Sequence, residues 1–196
     1  MLFRSIVVLS NYPDLFANHP FVDAVNDPPV HPDKYLLLRG APRTTWRLEH
    51  YCRRARVDLP VSRPHLYYAD WNAPSLCLLP PGRGPLIAVA PGASWATKRW
   101  QMQKWRALCA RVLAHGGRIV ELGQADEPIG AGVSLMNQTS IREAACVLHC
   151  ADALVCCDSG LMHLALAANT PVVALFGPTD PDILIRHEPH FHPICS

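Results

Sequence analysis

Charge is scarce in this chain. Asp, Glu, Lys and Arg make up 17% of its 196 residues, and the formal net charge at pH 7 is only +2. So small an excess leaves no electrostatic footprint for nucleic acid, which is not expected as a partner. No apolar run is long enough to cross a bilayer, and residues 1–10 lack the layout of a signal peptide. No G-x-G-x-x-G follows any apolar run and no Walker loop occurs, which weakens a reading as a nucleotide-dependent oxidoreductase. C-x-x-C spacing is missing as well, although the chain has eight cysteines. Without paired ligands a zinc site has no basis, and His149-Cys150 with Cys156-Cys157 is the nearest approach to one. No metal and no cofactor is expected. Cys109, Cys146, Cys150, Cys156 and Cys157 fall inside apolar patterns, where a thiol behaves as a small hydrophobe. That use of cysteine points to a reducing, cytoplasmic compartment.

What is present is an ordinary folded composition, 49% hydrophobic, with 19 prolines of which many precede Leu86. From Leu86 onward short apolar runs alternate with helical spacing. Leu86 to Ala90, Arg118 to Leu122, Ala153 to Cys157 and Pro171 to Phe176 read as strands. Helices are predicted over 102–114, where Trp105, Leu108, Cys109, Val112 and Leu113 share one face, and after the capping box Ser140-Ile141-Arg142-Glu143. A further helix starts near Ser159-Gly160. This alternation implies an α/β fold with a parallel sheet covered on both faces, Rossmann-like, with ligands at the carboxyl ends of the strands. Residues 1–80 are less regular: Ile6 to Leu9 and Tyr35 to Leu38 read as strands and 44–55 as a helix, resembling part of another α/β unit. Pro80-Pro81-Gly82-Arg83-Gly84-Pro85 reads as the connection. The expected organisation is therefore a partial α/β domain over 1–80, a linker over 81–85, and a ligand-binding domain over 86–196.

Four loops at predicted strand ends carry the chemistry. In Asp158-Ser159-Gly160-Leu161-Met162-His163 a carboxylate, a hydroxyl and a glycine occupy a strand-to-helix turn. Glycine admits close approach of a ligand, and the helix start aims unpaired N–H groups and its positive dipole end outward. That suits a phosphate with a sugar attached, although Asp and Ser also serve simply as N-caps. In Pro91 to Trp100 a loop of small and hydroxyl residues delivers Lys98, a mobile point charge suited to a phosphate oxygen, beside Ser94 and Thr97. Glu127, past the strand that ends at Leu122, can accept the hydroxyls of a ribose or serve as a helix-start carboxylate. Phe176-Gly177-Pro178-Thr179-Asp180-Pro181 is a rigid turn after the last predicted strand. Arg39, Arg43, Arg47, Arg53, Arg54, Arg56 and Arg63 crowd a stretch with only Glu49 and Asp58 to balance them. Such a run is a solvated face, or a docking surface for an anionic acceptor or an anionic membrane.

Taken in order, P-G-A-S-x-x-x-K-x-W at Pro91 to Trp100, L-G-x-x-x-E at Leu122 to Glu127, D-S-G-x-x-H at Asp158 to His163 and F-G-P-T-D-P at Phe176 to Pro181 resemble the ADP-heptose:lipopolysaccharide heptosyltransferases, glycosyltransferase family 9. The resemblance spans Leu86 to about Asp182 and is weaker over Val7 to Val25. It implies the GT-B arrangement, two facing Rossmann-like domains of which the second holds the nucleotide sugar. It further implies that Ser94, Lys98, Ser159, Gly160 and His163 hold the donor diphosphate. Asp158 would contact the sugar, Glu127 the ribose, and Thr139 would lie beside the adenine. The implied partners are an ADP-sugar donor, ADP-heptose above all, and an anionic glycolipid or glycan acceptor such as the lipopolysaccharide core. The implied location is cytoplasmic, with peripheral contact at the inner membrane face. The implied reaction is inverting and metal-independent. The family's general base is an Asp in a Gly-Asp segment of the first domain, and this sequence has no such segment; Asp14 and Asp23 are not substitutes. The catalytic base is therefore expected to be missing from the chain, which reads as a shortened acceptor half followed by a donor half. The alternative is a noncatalytic or truncated nucleotide-sugar binding module.

Overall fold

The computed structural model describes residues 7–8, 10–16, 18–20, 22–27, 46–56, 58, 64–124, 128–186 and 188–195. Ahead of residue 86 it contains a short parallel pair, β1 (Val7–Val8) with β2 (Ala24–Val25), and the helix α1 (Arg47–Ala55). The predicted strand at Tyr35 to Leu38 lies outside the described residues. Beyond residue 86 come β3 (Leu86–Ala90), α2 (Met102–Ala114), β4 (Arg118–Glu121), β5 (Val133–Ser134) and α3 (Ile141–Cys150). The chain continues with β6 (Ala153–Cys157), α4 (Gly160–Ala167), β7 (Val172–Phe176) and β8 (Phe191–Cys195).

Strands β3 to β8 form one sheet in the order β5-β4-β3-β6-β7-β8, and every pairing is parallel. The sheet, the α/β alternation and the strands β3, β6 and β7 agree with the periodicity. Two strands of this sheet had no sequence signal, nor had β2. β5 is only two residues long, too short for alternation to register. β8 contains Pro193, which lacks the N–H that an interior strand must donate; it occupies the sheet's outer edge, where that lack is tolerated.

Alternation along each strand sorts the core into two clusters. Ala88, Ala90, Val120, Leu122, Leu154, Cys156, Val172 and Ala174 face α3 and α4, meeting Ala144, Ala145, Val147, Leu148, Met162 and Ala165. Val89, Ile119 and Cys157 face the other way, onto Trp105 and Cys109 of α2. Burying each large apolar side chain contributes about 1.5–3 kcal/mol. The second face is covered less fully than expected: Val155, Val173 and Leu175 are only half-buried and Ile194 is 53% exposed.

The connection before β3 is tied down by Arg118, whose guanidinium donates to the carbonyls of Gly84 (2.8 Å) and Pro80 (2.8 Å). Asp152 accepts from the Leu86 amide (2.7 Å), joining the start of β3 to the end of α3. The first part of the chain packs on the sheet unit at several places: Tyr68 is part of the larger core cluster, Trp71 stacks on His149 of α3 (ring centroids 4.3 Å) and Asp70 pairs with Arg142 (2.8 Å). Leu15 packs against the larger core cluster, and Trp46 at the head of α1 donates to the Leu184 carbonyl (3.3 Å).

The strand order has a functional consequence. After β3 the chain builds outward through β4 and β5, then returns to lay β6 on the other side of β3. In open parallel sheets such a reversal leaves a crevice beyond the carboxyl ends of the two strands, here β3 and β6, and that is the usual ligand position.

Candidate functional site

The turn after β6 forms one wall of that crevice. Asp158 is 7% exposed. Ser159 has the extended backbone of an N-cap (φ −150°, ψ 172°), yet its side chain does not cap α4. Its hydroxyl is buried without a hydrogen-bond partner, an arrangement that costs about 1–3 kcal/mol unless something else satisfies it. Gly160 begins α4 in open space: a Cβ placed there would meet nothing within 4 Å. The fold's own packing therefore makes no demand for glycine at this position, whereas a ligand approaching the helix start would. The N-terminal amides of α4 and its positive dipole end face the same opening.

The loop after β3 forms the facing wall. Residues Ala96–Lys98 make a single 3-10 turn, closed by the Lys98 amide donating to the Trp95 carbonyl (3.0 Å). Arg99 braces the loop by donating to the Ala93 carbonyl (2.9 Å). This geometry aims Lys98 across the crevice, where its ammonium donates to Asp158 Oδ2 at 2.6 Å. The same ammonium sits 4.8 Å from the centre of the Trp95 ring. The Lys98 and Asp158 side chains are 16% and 7% exposed, so the pair is largely withdrawn from water and more strongly coupled than a surface ion pair. Losing either partner would strand the other charge.

Two further loops reach the same place. Gly177, after β7, lies so close to the Lys98 loop that a Cβ would come 2.8 Å from the Thr97 carbonyl oxygen; any other residue would push the loop away. Gly123, after β4, has φ +106°, a conformation that side chains disfavour, and faces Leu161 of α4. The Cys157 thiol donates weakly to the Pro91 carbonyl (3.6 Å). All four sequence motifs thus touch at one rim of the sheet.

Among the residues singled out from sequence, the structure brings Lys98, Asp158, Ser159, Gly160 and His163 together, with Ser94 exposed on the Lys98 loop. Thr139 is half-buried beside Ser140 at the head of α3, on the β4–β5 side. Glu127 lies outside the described residues. His163 is exposed, but protein atoms crowd it on its inner side. That desolvation lowers its pKa from the ordinary 6.5; the Asp158 charge raises it and Arg47 of α1 lowers it further. Arg47 accordingly lies near the crevice, and Arg47, Arg53, Arg54 and Arg56 are all exposed.

One residue escaped the sequence reading. Glu121 ends β4 with no exposure, and its carboxylate accepts the backbone N–H groups of Ile129 (2.8 Å), Gly130 (2.9 Å) and Ala131 (2.9 Å). It therefore holds the downstream end of the loop that follows L-G at Leu122-Gly123. The available signal was a lone acid inside the apolar run Ile119-Val120-Glu121-Leu122. Among the described residues no group of His, Cys, Asp and Glu is arranged to hold a metal ion. No described helix is long and apolar enough to cross a membrane.

The model of a family described as glycosyltransferase family 9 (heptosyltransferase) matches residues 44–185. Lipooligosaccharide heptosyltransferase 2 of Haemophilus influenzae is 35% identical over 147 residues, covering 63% of this chain and 42% of that protein. The structure of Escherichia coli ADP-heptose LPS heptosyltransferase II superposes with a TM-score of 0.61 at 25% identity, over 72% of this chain and 48% of that one. A family 9 glycosyl transferase from Veillonella parvula gives a TM-score of 0.68 at 17% identity, a likeness of fold, over 91% and 53%. The chain thus spans about half, or less, of the length of the relatives it matches.

Proposed function

The chain belongs to glycosyltransferase family 9, and from that premise we propose that its crevice binds an ADP-sugar donor, with a heptose as the sugar and a lipopolysaccharide-core or related glycan as acceptor. The observation that carries this reading is the 2.6 Å contact between Lys98 and Asp158 across the switch point of the sheet. A cation and a carboxylate held together there are the two groups that a diphosphate and a sugar hydroxyl would separately require. The names of the relatives support this choice of donor: one of them is an ADP-heptose LPS heptosyltransferase.

In this reading residues 86–196 form the donor domain, 81–85 the linker, and 1–80 belong to the acceptor side. The diphosphate draws Lys98 off Asp158 and lies against Ser94, Ser159, Gly160 and His163, at the start of α4. Asp158, released, accepts hydroxyls of the sugar. Glu127 and Thr139 hold the nucleoside on the β4–β5 side. An acceptor hydroxyl oxygen attacks the anomeric carbon from the face opposite the diphosphate. The new C–O bond forms as the bond to the diphosphate breaks, inverting the centre, and the electron pair leaves with ADP. Lys98 and the α4 amides stabilise that growing charge, so no metal is required. Each such contact contributes about 2.7–4 kcal/mol to the transition state. The hydroxyl proton passes to a general base that we assign to none of these residues.

Calorimetric titration of the chain with ADP, UDP and GDP tests the reading. ADP should bind best, and Lys98→Ala should weaken it on the order of 100-fold. Equal binding of all three nucleotides, or none, would remove the donor assignment. Donor turnover supports the transferase, whereas tight ADP binding without turnover supports a binding module.

A further inference from the structure

A lone exposed aromatic residue is common on protein surfaces and by itself means little. Trp95 is distinguished by where it stands. It is 55% exposed and belongs to neither core cluster, although it sits in the middle of the loop that delivers Lys98. Its ring face is already used: the Lys98 ammonium lies 4.8 Å from its centre and 2.6 Å from Asp158. Indole, ammonium and carboxylate therefore follow one another, and the two outer groups each lie within the breadth of one pyranose ring of the same ammonium. A flat apolar face near a buried carboxylate is the combination that suits a carbohydrate. The ring's C–H groups meet the indole while its hydroxyls meet the acid.

The strand order selects which part of the donor meets the indole. Nucleoside contacts are assigned to the β4–β5 side of the Lys98 loop, whereas Asp158 and His163 follow β6 on the opposite side. Lys98 leans toward Asp158, and Trp95 accompanies it. The indole thus belongs to the sugar end of the crevice.

We propose that Trp95 is the platform on which the donor's sugar ring stacks, opposite the Asp158 carboxylate. The inference rests on the donor-site reading and adds a specificity residue to it. In the free protein the Lys98 ammonium covers the indole face. Once the diphosphate withdraws that ammonium, the face becomes available to the sugar, so diphosphate and sugar binding are coupled through one side chain.

The test compares affinities for ADP and for ADP-heptose in the unaltered chain, Trp95→Phe and Trp95→Ala. Trp95 is exposed, so both variants should melt at the parent temperature. The gain in affinity that ADP-heptose shows over ADP should fall about ten-fold in Trp95→Ala and be largely kept in Trp95→Phe, with ADP itself bound within about two-fold of the parent. If ADP binds and the ratio is unchanged in Trp95→Ala, or both ligands weaken equally, the indole only shields the Lys98–Asp158 pair and the stacking proposal is overturned alone. If the unaltered chain binds neither ligand, the donor-site reading falls and the stacking proposal falls with it.

Discussion

At the scale of single residues, His163 is the most informative titrating group in the crevice. Crowding by protein atoms favours its neutral form, Asp158 favours the charged form, and Arg47 opposes it from α1. Between the lowered folded value and 6.5 the unfolded chain binds a proton that the folded chain does not. The stability tied to this ring is therefore fully present above 6.5 and is lost as pH falls through the folded value. An NMR titration should give His163 a pKa below 6.5, raised by Arg47→Gln and lowered further by Asp158→Asn. A value insensitive to both variants would mean that the ring is not at the rim. The anionic diphosphate must push the other way, so ADP binding should take up a fraction of a proton near neutral pH, read as a dependence of the calorimetric heat on buffer ionisation.

At the scale of elements, what was legible follows from how local each signal is. The cap of α3 is a four-residue pattern, and it forms as written: the Ser140 hydroxyl accepts from the Glu143 amide (3.2 Å) and Glu143 accepts from the Ser140 amide (2.9 Å). Ser140→Ala should cost about 1 kcal/mol in chemical denaturation, because one helix-start donor loses its acceptor. The central strands were equally legible, since their periodicity of apolar residues is their burial. In α2 the same holds for Trp105, Leu108, Cys109 and Val112, but Leu113, read onto that face, is 43% exposed because it lies at the edge of the stripe in the last turn. Glu121 was not legible. Nothing within β4 reveals that three amides from residues 129–131 will converge on its carboxylate. Glu121→Gln keeps the size but sets an amide N–H₂ against a backbone N–H. It should destabilise the chain by about 2–4 kcal/mol, several times the Ser140→Ala effect. A loss no larger than that of Ser140→Ala would show that the loop does not depend on this anchor. Trp95 carries no local signal either, because a loop tryptophan looks the same in sequence whether it packs inward or stands exposed beside Lys98, as it does here.

At the scale of the whole molecule, the order of strands was the part that local pattern leaves undetermined, because it depends on which distant segments pair. The alternation implied a parallel sheet with loops on one edge. Only the pairing of β3 with β6 shows that the Lys98 and Asp158 loops are the two that flank the reversal. The cysteines provide a probe of that architecture, since all eight are free and spread across it. Cys156 and Cys157 are adjacent on the central strand β6 but enter opposite core clusters, so both sheet faces must open before both react. Burial pushes the thiols of Cys52, Cys146, Cys156 and Cys157 above their ordinary range, and raises Cys109 to about 11 with help from the Glu121 charge. Since the thiolate is the reacting form, these five are protected both by access and by ionisation. A disulfide reagent near neutral pH should therefore modify Cys77, Cys150 and Cys195 quickly, because these three are exposed; Cys150, read from sequence as part of an apolar pattern, ends α3 on its solvent side. Cys52 should follow next, since α1 lies outside both core clusters and is held at its head by the Trp46–Leu184 hydrogen bond and the Arg186 guanidinium over the Trp46 ring. Cys109, Cys146, Cys156 and Cys157 should react together and last, at a rate that tracks global unfolding. Saturating ADP should slow that last group alone, by the factor its binding adds to the stability of the sheet unit. Early modification of Cys157 without Cys156 would instead mean that the α2 face opens by itself, and the crevice would then be gated by α2 rather than held rigid.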